Sequence, residues 1–424
     1  MYNLMLTATK VRLYPTADQE QRLAVQFGCA RFVWNRALAM KRAAWQERNE
    51  SLSCYTIKGM LPVWKKGEFP WLKDADSQAM QEVIRHLDRA YRNFFEKRAR
   101  LPRFKKKHAS RQSIAYPQRV KLDGSLAYLP KVGWVKAVVH REIVGKIKTV
   151  TVSRESTGKY YASILADDGL PEIEPLTRIE RITGIDLGLK DALVSSAGSK
   201  SGNPKPLRRA LKNLKRKQQA MSRKIEAAKQ RFEAAKAADD GKAYRLRDFF
   251  GANLAKDRKR VAVAHERVRN ARDDWQHKAS RQLADENQAV AAETLNVKGM
   301  MKNRRLSRAI ADVGWGSLLL KIDYKLKRRG GRLVKIDRWF PSTKTCSCCG
   351  AIREGLTLSD RTWLCAACGT LHHRDENAAE NIRWQGILKL KAEGLSVSAH
   401  GGGVSRVPSA PATAGEVGSL RLQA

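Results

Sequence analysis

Between residues 77 and 97, Met80, Val83, Ile84, Leu87, Tyr91 and Phe94 recur at three- and four-residue intervals, with Gln81, Arg85, Asp88 and Arg92 opposite. That spacing predicts an amphipathic helix with one core-facing stripe. Residues 5–14 alternate in polarity and stop at Pro15, which predicts a strand. Thr16 and Gln19 then fit a capping box ahead of a helical region carrying Leu23, Phe27, Phe32, Val33 and Leu38. From about 112 to 178 the pattern turns to strands. Thr149–Ser153 and Tyr160–Leu165 alternate around Ser156-Thr157-Gly158, a hairpin signal. With the 5–14 strand, this region predicts a small β-barrel into which the helices of 16–100 are inserted.

The second half mixes both periods. Arg181–Gly188 is an apolar strand and Ala192–Ser195 its hairpin partner. Leu207, Leu211, Leu214, Met221 and Ile225 hold a near-heptad spacing, and Leu254, Val261, Val268 and Trp275 fall every seven residues, so a helical hairpin is expected. Gln288–Glu293 returns as a short strand, 307–328 as a helix and Arg332–Asp337 as a strand, and a last helix starts near Asp375. Beyond about Ala392, Gly, Ser, Pro and Ala dominate, the composition of a disordered tail.

Composition changes the picture through charge. The chain of 424 residues has 82 Lys plus Arg against 42 Asp plus Glu, a formal net charge of +40. Such a surface attracts polyanions, and nucleic acid is the leading partner. No apolar run reaches the length of about 18 residues that a membrane helix needs, and the N-terminus lacks a signal-peptide core. A cytoplasmic, nucleoid-associated protein without a membrane partner is therefore expected.

Five of the seven cysteines lie between 346 and 368. Cys346, Cys349, Cys365 and Cys368 form two Cys-x₂-Cys knuckles, the spacing of one closed, structural zinc site, with Gly350 and Gly369 placed for the knuckle turns. Cys29 and Cys54 read as isolated core or surface thiols.

Three acids stand where acids are costly or well placed. Asp186 lies late in an apolar strand, Glu293 ends another, and Asp375 opens the final helix. Taken singly, each could cap a turn, pair with a cation or cap a helix, and Asp191, Asp285, Glu286, Asp337 and Glu376 compete by spacing. Taken jointly, strand, strand and helix can present carboxylates to two magnesium ions for phosphodiester hydrolysis, with Asp186 as the bridge.

For nucleic-acid contact, Lys205, Arg208, Arg209, Lys212, Lys215, Arg216, Lys217, Arg223 and Lys224 form a run without an acid. Arg103, Lys105, Lys106 and Lys107 flank Phe104, which could stack on a base or join the core. Ser77 and Gln81, and more weakly Tyr55 and Thr56, could read a DNA groove.

Eight segments occur in an order that resembles the TnpB family of transposon-encoded nucleases, which is related to type V CRISPR effectors. They are Val-Arg-Leu-Tyr-Pro ending at Pro15, Gly-Cys-Ala-Arg-Phe-Val-Trp-Asn ending at Asn35, Ala-Tyr-Arg-Asn-Phe-Phe ending at Phe95, and Pro-Arg-Phe-Lys-Lys-Lys ending at Lys107. They continue with Gly-Ile-Asp-Leu-Gly ending at Gly188, Glu-Thr-Leu-Asn-Val-Lys-Gly-Met starting at Glu293, Pro-Ser-Thr-Lys-Thr-Cys-Ser-Cys-Cys-Gly ending at Gly350, and Arg-Asp-Glu-Asn-Ala-Ala starting at Arg374. The resemblance covers roughly 5–390. It departs from the family pattern at Thr294, where many members have Asp, and at His373, where many have Asp.

The resemblance implies an α/β multidomain chain. An RNase H-like (RuvC) nuclease at 179–340 and 371–391 would carry a zinc-ribbon insertion at 341–370. An N-terminal wedge β-barrel at 1–15 and 112–178 would carry a helical recognition insert at 16–111, and 392–424 would be the tail. It maps the family acids onto Asp186, Glu293 and Asp375. It implies a guide RNA from the transposon end, a double-stranded DNA target and cleavage beside a short transposon-adjacent motif. The alternatives are a nuclease-inactive RNA-guided repressor, a transposase accessory protein, or a zinc-ribbon binder without catalysis.

Overall fold

A computed structural model describes residues 4–171, 173–238, 244–357 and 359–398. The chain divides into two compact units, one of residues 1–172 with 213–266, the other of residues 173–212 with 267–424.

The first unit opens with β1 (Leu4–Tyr14) and α1 (Ala17–Arg48). Thr16 caps α1: its hydroxyl accepts from the Gln19 N–H, and the Gln19 side chain accepts from the Thr16 N–H at 3.1 Å. The helices α2 (Cys54–Lys66) and α3 (Ser77–Phe95) follow. The α3 stripe Met80, Val83, Ile84 and Leu87 is buried, as its period predicts. The strands are β2 (Arg111–Tyr116), β3 (Lys121–Asp123), β4 (Leu126–Leu129), β5 (Gly133–Val138), β6 (Lys146–Glu155) and β7 (Tyr160–Pro171). With β1 they form an antiparallel seven-stranded sheet in the order β2-β6-β7-β1-β5-β4-β3. Its edges are β2 and β3.

One hydrophobic core holds Leu23, Phe27 and Leu38 of α1, Ile84 and Leu87 of α3, and Val11, Val135, Val152 and Ile164 of the sheet. Helix and sheet faces of that size cannot be buried separately in so short a stretch, so they bury each other.

The second unit contains β8 (Arg178–Ile179), β9 (Ile182–Asp186), β10 (Asp191–Ser195) and β11 (Lys200–Gly202). Two long helices, α4 (Pro206–Ala237) and α5 (Ala252–Glu286), are shared between the units by residue. Then come β12 (Ala289–Ala292), α6 (Val297–Met300), α7 (Ser307–Val313), α8 (Trp315–Lys327) and β13 (Arg332–Lys335). The chain closes with β14 (Thr362–Leu364), β15 (Leu371–His373), α9 (Arg374–Ala392) and β16 (Ser396–Val397).

The central sheet has the order β11-β10-β9-β12-β13, with β10 antiparallel to β9 and to β11, and β12 parallel to both β9 and β13. Alternation splits its side chains between two cores. Ile185, Val290 and Ala292 pack with Ile310, Trp315 and Leu318 of α7 and α8. Ile182, Ala289 and Ala291 pack with Ile382, Ile387 and Leu390 of α9. Strands covered on both faces read as continuous apolar runs, which is why 289–292 shows no alternation.

Two expectations change. The single helix over 307–328 is broken at Gly314, whose φ of 69° is left-handed. The break places Asp312 to accept from the Leu207 and Arg208 N–H groups at 2.9 and 3.2 Å, capping the start of α4. The expected tail is also ordered at its start: Ser396–Val397 pairs in parallel with Arg178–Ile179, and Val397 is buried. Residues 399–424 of that tail lie outside the described residues.

Candidate active site

Side chains two residues apart on a strand share a face. Ile182, Gly184 and Asp186 therefore face α9, and so do Ala289, Ala291 and the position just past β12, Glu293. The pairing of Ile185 with Ala292 sets Asp186 and Glu293 side by side at the ends of parallel neighbours. Two glycines bring α9 onto this face. A Cβ on Gly184 would stand 2.0 Å from the Ala379 carbonyl oxygen, and one on Gly386 would stand 2.5 Å from the Ala291 Cβ. Asp375 lies one helical turn before Ala379, on the same side of α9, so the close approach carries it over the ends of β9 and β12.

The three carboxylates feel one another. Burial, then the charges of Glu293 and Asp375, push the Asp186 carboxyl up to about 7, while Arg374 pulls the other way. Asp375 is held by Arg374 Nε at 3.1 Å and by Arg361 Nη1 at 3.5 Å. Glu293 accepts a short hydrogen bond from the buried hydroxyl of Ser342. The three do not all approach within 4.8 Å, as the cysteine sulfurs do. The competing acids are engaged elsewhere: Glu376 pairs with Lys200 at 2.6 Å, Asp285 with Arg281 at 3.3 Å, Glu286 accepts from Gln282 at 3.0 Å, and Asp337 accepts from the Trp339 N–H at 2.7 Å. Asp191 opens β10, paired opposite Gly202 of β11.

The cysteine cluster is built from two matching turns. Gly350 N–H donates to Cys346 O at 3.0 Å and Gly369 N–H to Cys365 O at 2.9 Å, with φ of 83° and 69° at the glycines. Only a residue without a Cβ holds that conformation at no cost. All four sulfurs lie within 4.8 Å of one another, and Cys346–Cys368 and Cys349–Cys365 are each 3.7 Å apart. A tetrahedron with zinc–sulfur bonds of about 2.3 Å has edges of about 3.8 Å, so the sulfurs already fit the ion. Cys348, the fifth cysteine, is half-buried and outside the cluster; Cys29 is buried in the first unit's core, and Cys54 packs partly buried against it.

The sequence reading passed over His372. It is buried, its Nε2 lies 3.0 Å from Cys346 Sγ, and its ring rests against Trp363 with centroids 4.7 Å apart. The residue is visible in the sequence, but only the β14–β15 hairpin, which pairs it with Trp363, turns it toward the sulfur.

Comparison with known proteins decides the family. Residues 163–304 match a model described as "Probable transposase", residues 315–382 one described as "Cas12f1-like, TNB domain", and residues 1–50 one described as "Helix-turn-helix domain". A Streptomyces pristinaespiralis protein, named as a proposed RNA-guided DNA endonuclease, is 36% identical over 405 residues, covering 94% of this chain and 91% of that protein. The chain belongs to the TnpB family. An Escherichia coli K12 protein, InsQ, named in the same way, is 31% identical over 395 residues, covering 89% of this TnpB chain and 91% of InsQ. Among solved structures, the mini-RNA-guided endonuclease CRISPR-Cas_phi3 aligns over 91% of this chain and 92% of its own with a TM-score of 0.50 at 9% identity, a likeness of fold. Although residues 1–50 match a model described as a helix-turn-helix domain, residues 17–48 of this TnpB chain form one uninterrupted helix, α1.

The nucleic-acid candidates of the TnpB chain fall into two groups. Arg208, Arg209, Lys212, Lys215, Arg216 and Arg223 are exposed along α4, with Lys205 and Lys217 partly buried. Lys224 is instead ion-paired with the buried Asp257. Arg103, Lys106 and Lys107 are exposed, but the Lys105 ammonium sits 4.1 Å over the Trp34 ring while its backbone is clasped by Asn35 at 2.7 and 3.0 Å. Phe104 is 47% exposed beneath Arg42, so it belongs to the surface. Ser77 accepts from Lys65 at 2.7 Å, and Gln81 is half-buried. Tyr55 is exposed, whereas Thr56 caps α2 with Ser53. Among the described residues no helix is long and apolar enough to cross a membrane.

Proposed function

We propose that this chain is an RNA-guided DNA endonuclease that hydrolyses phosphodiester bonds at Asp186, Glu293 and Asp375. The observation that carries the reading is the convergence of these three carboxylates on the α9 face of the central sheet, tightly enough that ionising Asp186 is opposed by the other two. Such a set is electrostatically incomplete without cations. Its donors are hard oxygens, which suits magnesium, and a pair of such ions about 3.5–4 Å apart is the arrangement that hydrolyses phosphodiesters. The sheet supports the RNase H-type reading: three antiparallel strands followed by two parallel ones, with acids at the ends of the first and fourth strands in chain order.

Magnesium would supply Lewis-acid stabilisation of the phosphate and a more acidic attacking water. The chain's own residues do the rest. Asp186, which feels the charges of both other acids, is the group that would bridge. Glu293 is oriented by Ser342, and Asp375 is held over the strand ends by α9. Arg374 and Arg361 hold Asp375 with their guanidinium groups and are placed to meet a phosphate. The exposed cations of α4 suit the guide RNA and its DNA target, by counterion release. The relatives' names support RNA guidance, and cleavage beside a transposon-adjacent motif is part of the proposal.

The test is a plasmid library with randomised sequence beside a guide-matched target, incubated with the RNA-loaded protein and magnesium. Cleavage next to one enriched motif is expected, with none from Asp186→Ala. Absence of cutting by RNA-loaded wild type, or equal cutting by Asp186→Ala, would overturn the assignment.

A further inference from the structure

Ser342 belongs to neither the cysteine cluster nor the acid set, yet it joins them. It is 3% exposed, and its hydroxyl donates to Glu293 Oε1. The turn that carries it is fixed from both sides. Within the turn, Lys344 and Thr345 N–H groups donate to Pro341 O at 3.1 Å each, and the Thr345 hydroxyl donates to the same oxygen at 2.8 Å. From α9, Asn381 Nδ2 donates to Ser342 O at 2.8 Å and to Thr345 O at 2.6 Å, and Asn377 Nδ2 donates to Thr345 O at 2.8 Å. Asn377 Oδ1 in turn accepts from the Ser347 N–H at 2.8 Å, one residue past Cys346. Both asparagines are buried. A buried amide with backbone partners on one segment fixes that segment's register.

A carboxylate just past the end of a strand has free rotation about its side-chain bonds unless something holds it. A serine hydroxyl that donates to one oxygen leaves the other turned toward whatever the acids share. We infer that Ser342 is a positioning residue for Glu293: its hydroxyl orients the carboxylate for a divalent cation, and the turn's anchorage to α9 and the first knuckle keeps the hydroxyl in place. The inference rests on the proposed function, since it needs Glu293 to be a metal ligand. Outer partners of this kind commonly change metal affinity or activity by about 10–100-fold when removed.

The experiment uses the full RNA-loaded protein and manganese as probe. Binding is followed by the electron paramagnetic resonance signal of free ion, and cleavage is followed against magnesium concentration. Ser342→Ala is expected to weaken manganese binding about tenfold and to raise the magnesium needed for half-maximal cutting by a similar factor. Zinc content and bound RNA should be unchanged, and Ser342→Thr should restore both readouts. In a Glu293→Gln background, Ser342→Ala should add no further loss of manganese affinity. Should Ser342→Ala lose zinc, Ser342→Cys, close in volume and a weak donor, replaces it. Wild-type manganese affinity in the alanine variant, or an undiminished loss in the Glu293→Gln background, would overturn the inference. Unchanged manganese binding in Asp186→Ala and Glu293→Ala would instead overturn the proposed active site.

Discussion

Replacing Asp186 by Asn in the zinc-loaded, magnesium-free protein is expected to raise its stability at neutral and alkaline pH while removing cleavage. The carboxyl is pushed from 3.8 to about 7 by burial and by Glu293 and Asp375. Its folded pKa therefore exceeds its unfolded one, so the native state keeps a proton that the unfolded chain has released. The stability this contributes is fully present below about pH 4 and is lost as pH rises through about 7. Between about pH 5 and pH 8 the wild-type chain should lose roughly 2–3 kcal/mol from this group alone, and the asparagine variant should not. Titrating groups that do not interact with Asp186 are common to the two proteins and cancel in the difference, so the curve reports Asp186 together with the two acids coupled to it. The assay is urea unfolding of both proteins across that pH range, with the difference in unfolding free energy plotted against pH. A curve rising in favour of the variant by about 1.4 kcal/mol per pH unit and levelling off near neutrality is expected, and saturating magnesium should flatten it by stabilising wild type. A flat difference without magnesium would mean that Asp186 ionises as an exposed carboxylate does, and the packing argument for the acid cluster would fail.

Gly184→Ala should force α9 off β9, because its Cβ would sit 2.0 Å from the Ala379 carbonyl; a destabilisation of about 1–3 kcal/mol and a large loss of cleavage, measured by urea unfolding and plasmid cutting, are expected. Cys365→Ser should lower zinc stoichiometry, read by metal analysis, and cleavage together, because it removes one of the four sulfurs that surround the ion. Replacing Lys212, Lys215 and Arg216 by Ala should weaken RNA retention at every guide sequence and reduce the salt slope of binding by roughly two to three, whereas Lys224→Ala should chiefly reduce stability by leaving the buried Asp257 with Arg260, at 3.0 Å, in place of two cations.

What could be read from residue order was whatever a single segment determines. The cysteine spacing defines its own site, since each knuckle is a local turn, and the glycines after Cys349 and Cys368 have the positive φ that such turns require. The α3 stripe and the Thr16 capping box are also local. The three acids stand out in the sequence only jointly, because an acid in an apolar strand is costly wherever it lies. What lay beyond reading was contact between distant segments. Gly314 looked like a tolerated helix glycine until Asp312 was seen capping α4 from the broken end. Residues 392–398 looked like the start of a low-complexity tail, yet two of them find a strand partner some 220 positions earlier. Charge counting could not tell Lys224 and Lys105, already partnered, from Lys212 and Lys215, which are exposed on α4.

The connection between the cysteine cluster and the acids is of the same long-range kind. In the sequence, Asp375 follows Cys368 by seven positions, which suggests that the ribbon acts on catalysis by positioning Asp375. The structure shows a second and shorter connection on the other side of the ribbon. Cys346 follows Ser342, bonded to Glu293, by four positions, and the intervening turn is tied by Asn377 and Asn381 to the helix that starts beside Asp375. The ribbon thus meets two of the three acids, one at each of its ends, and α9 closes the loop between them. Loss of zinc should therefore disturb Glu293 and Asp375 together, while Asp186, fixed within β9 beside Gly184, should keep its place.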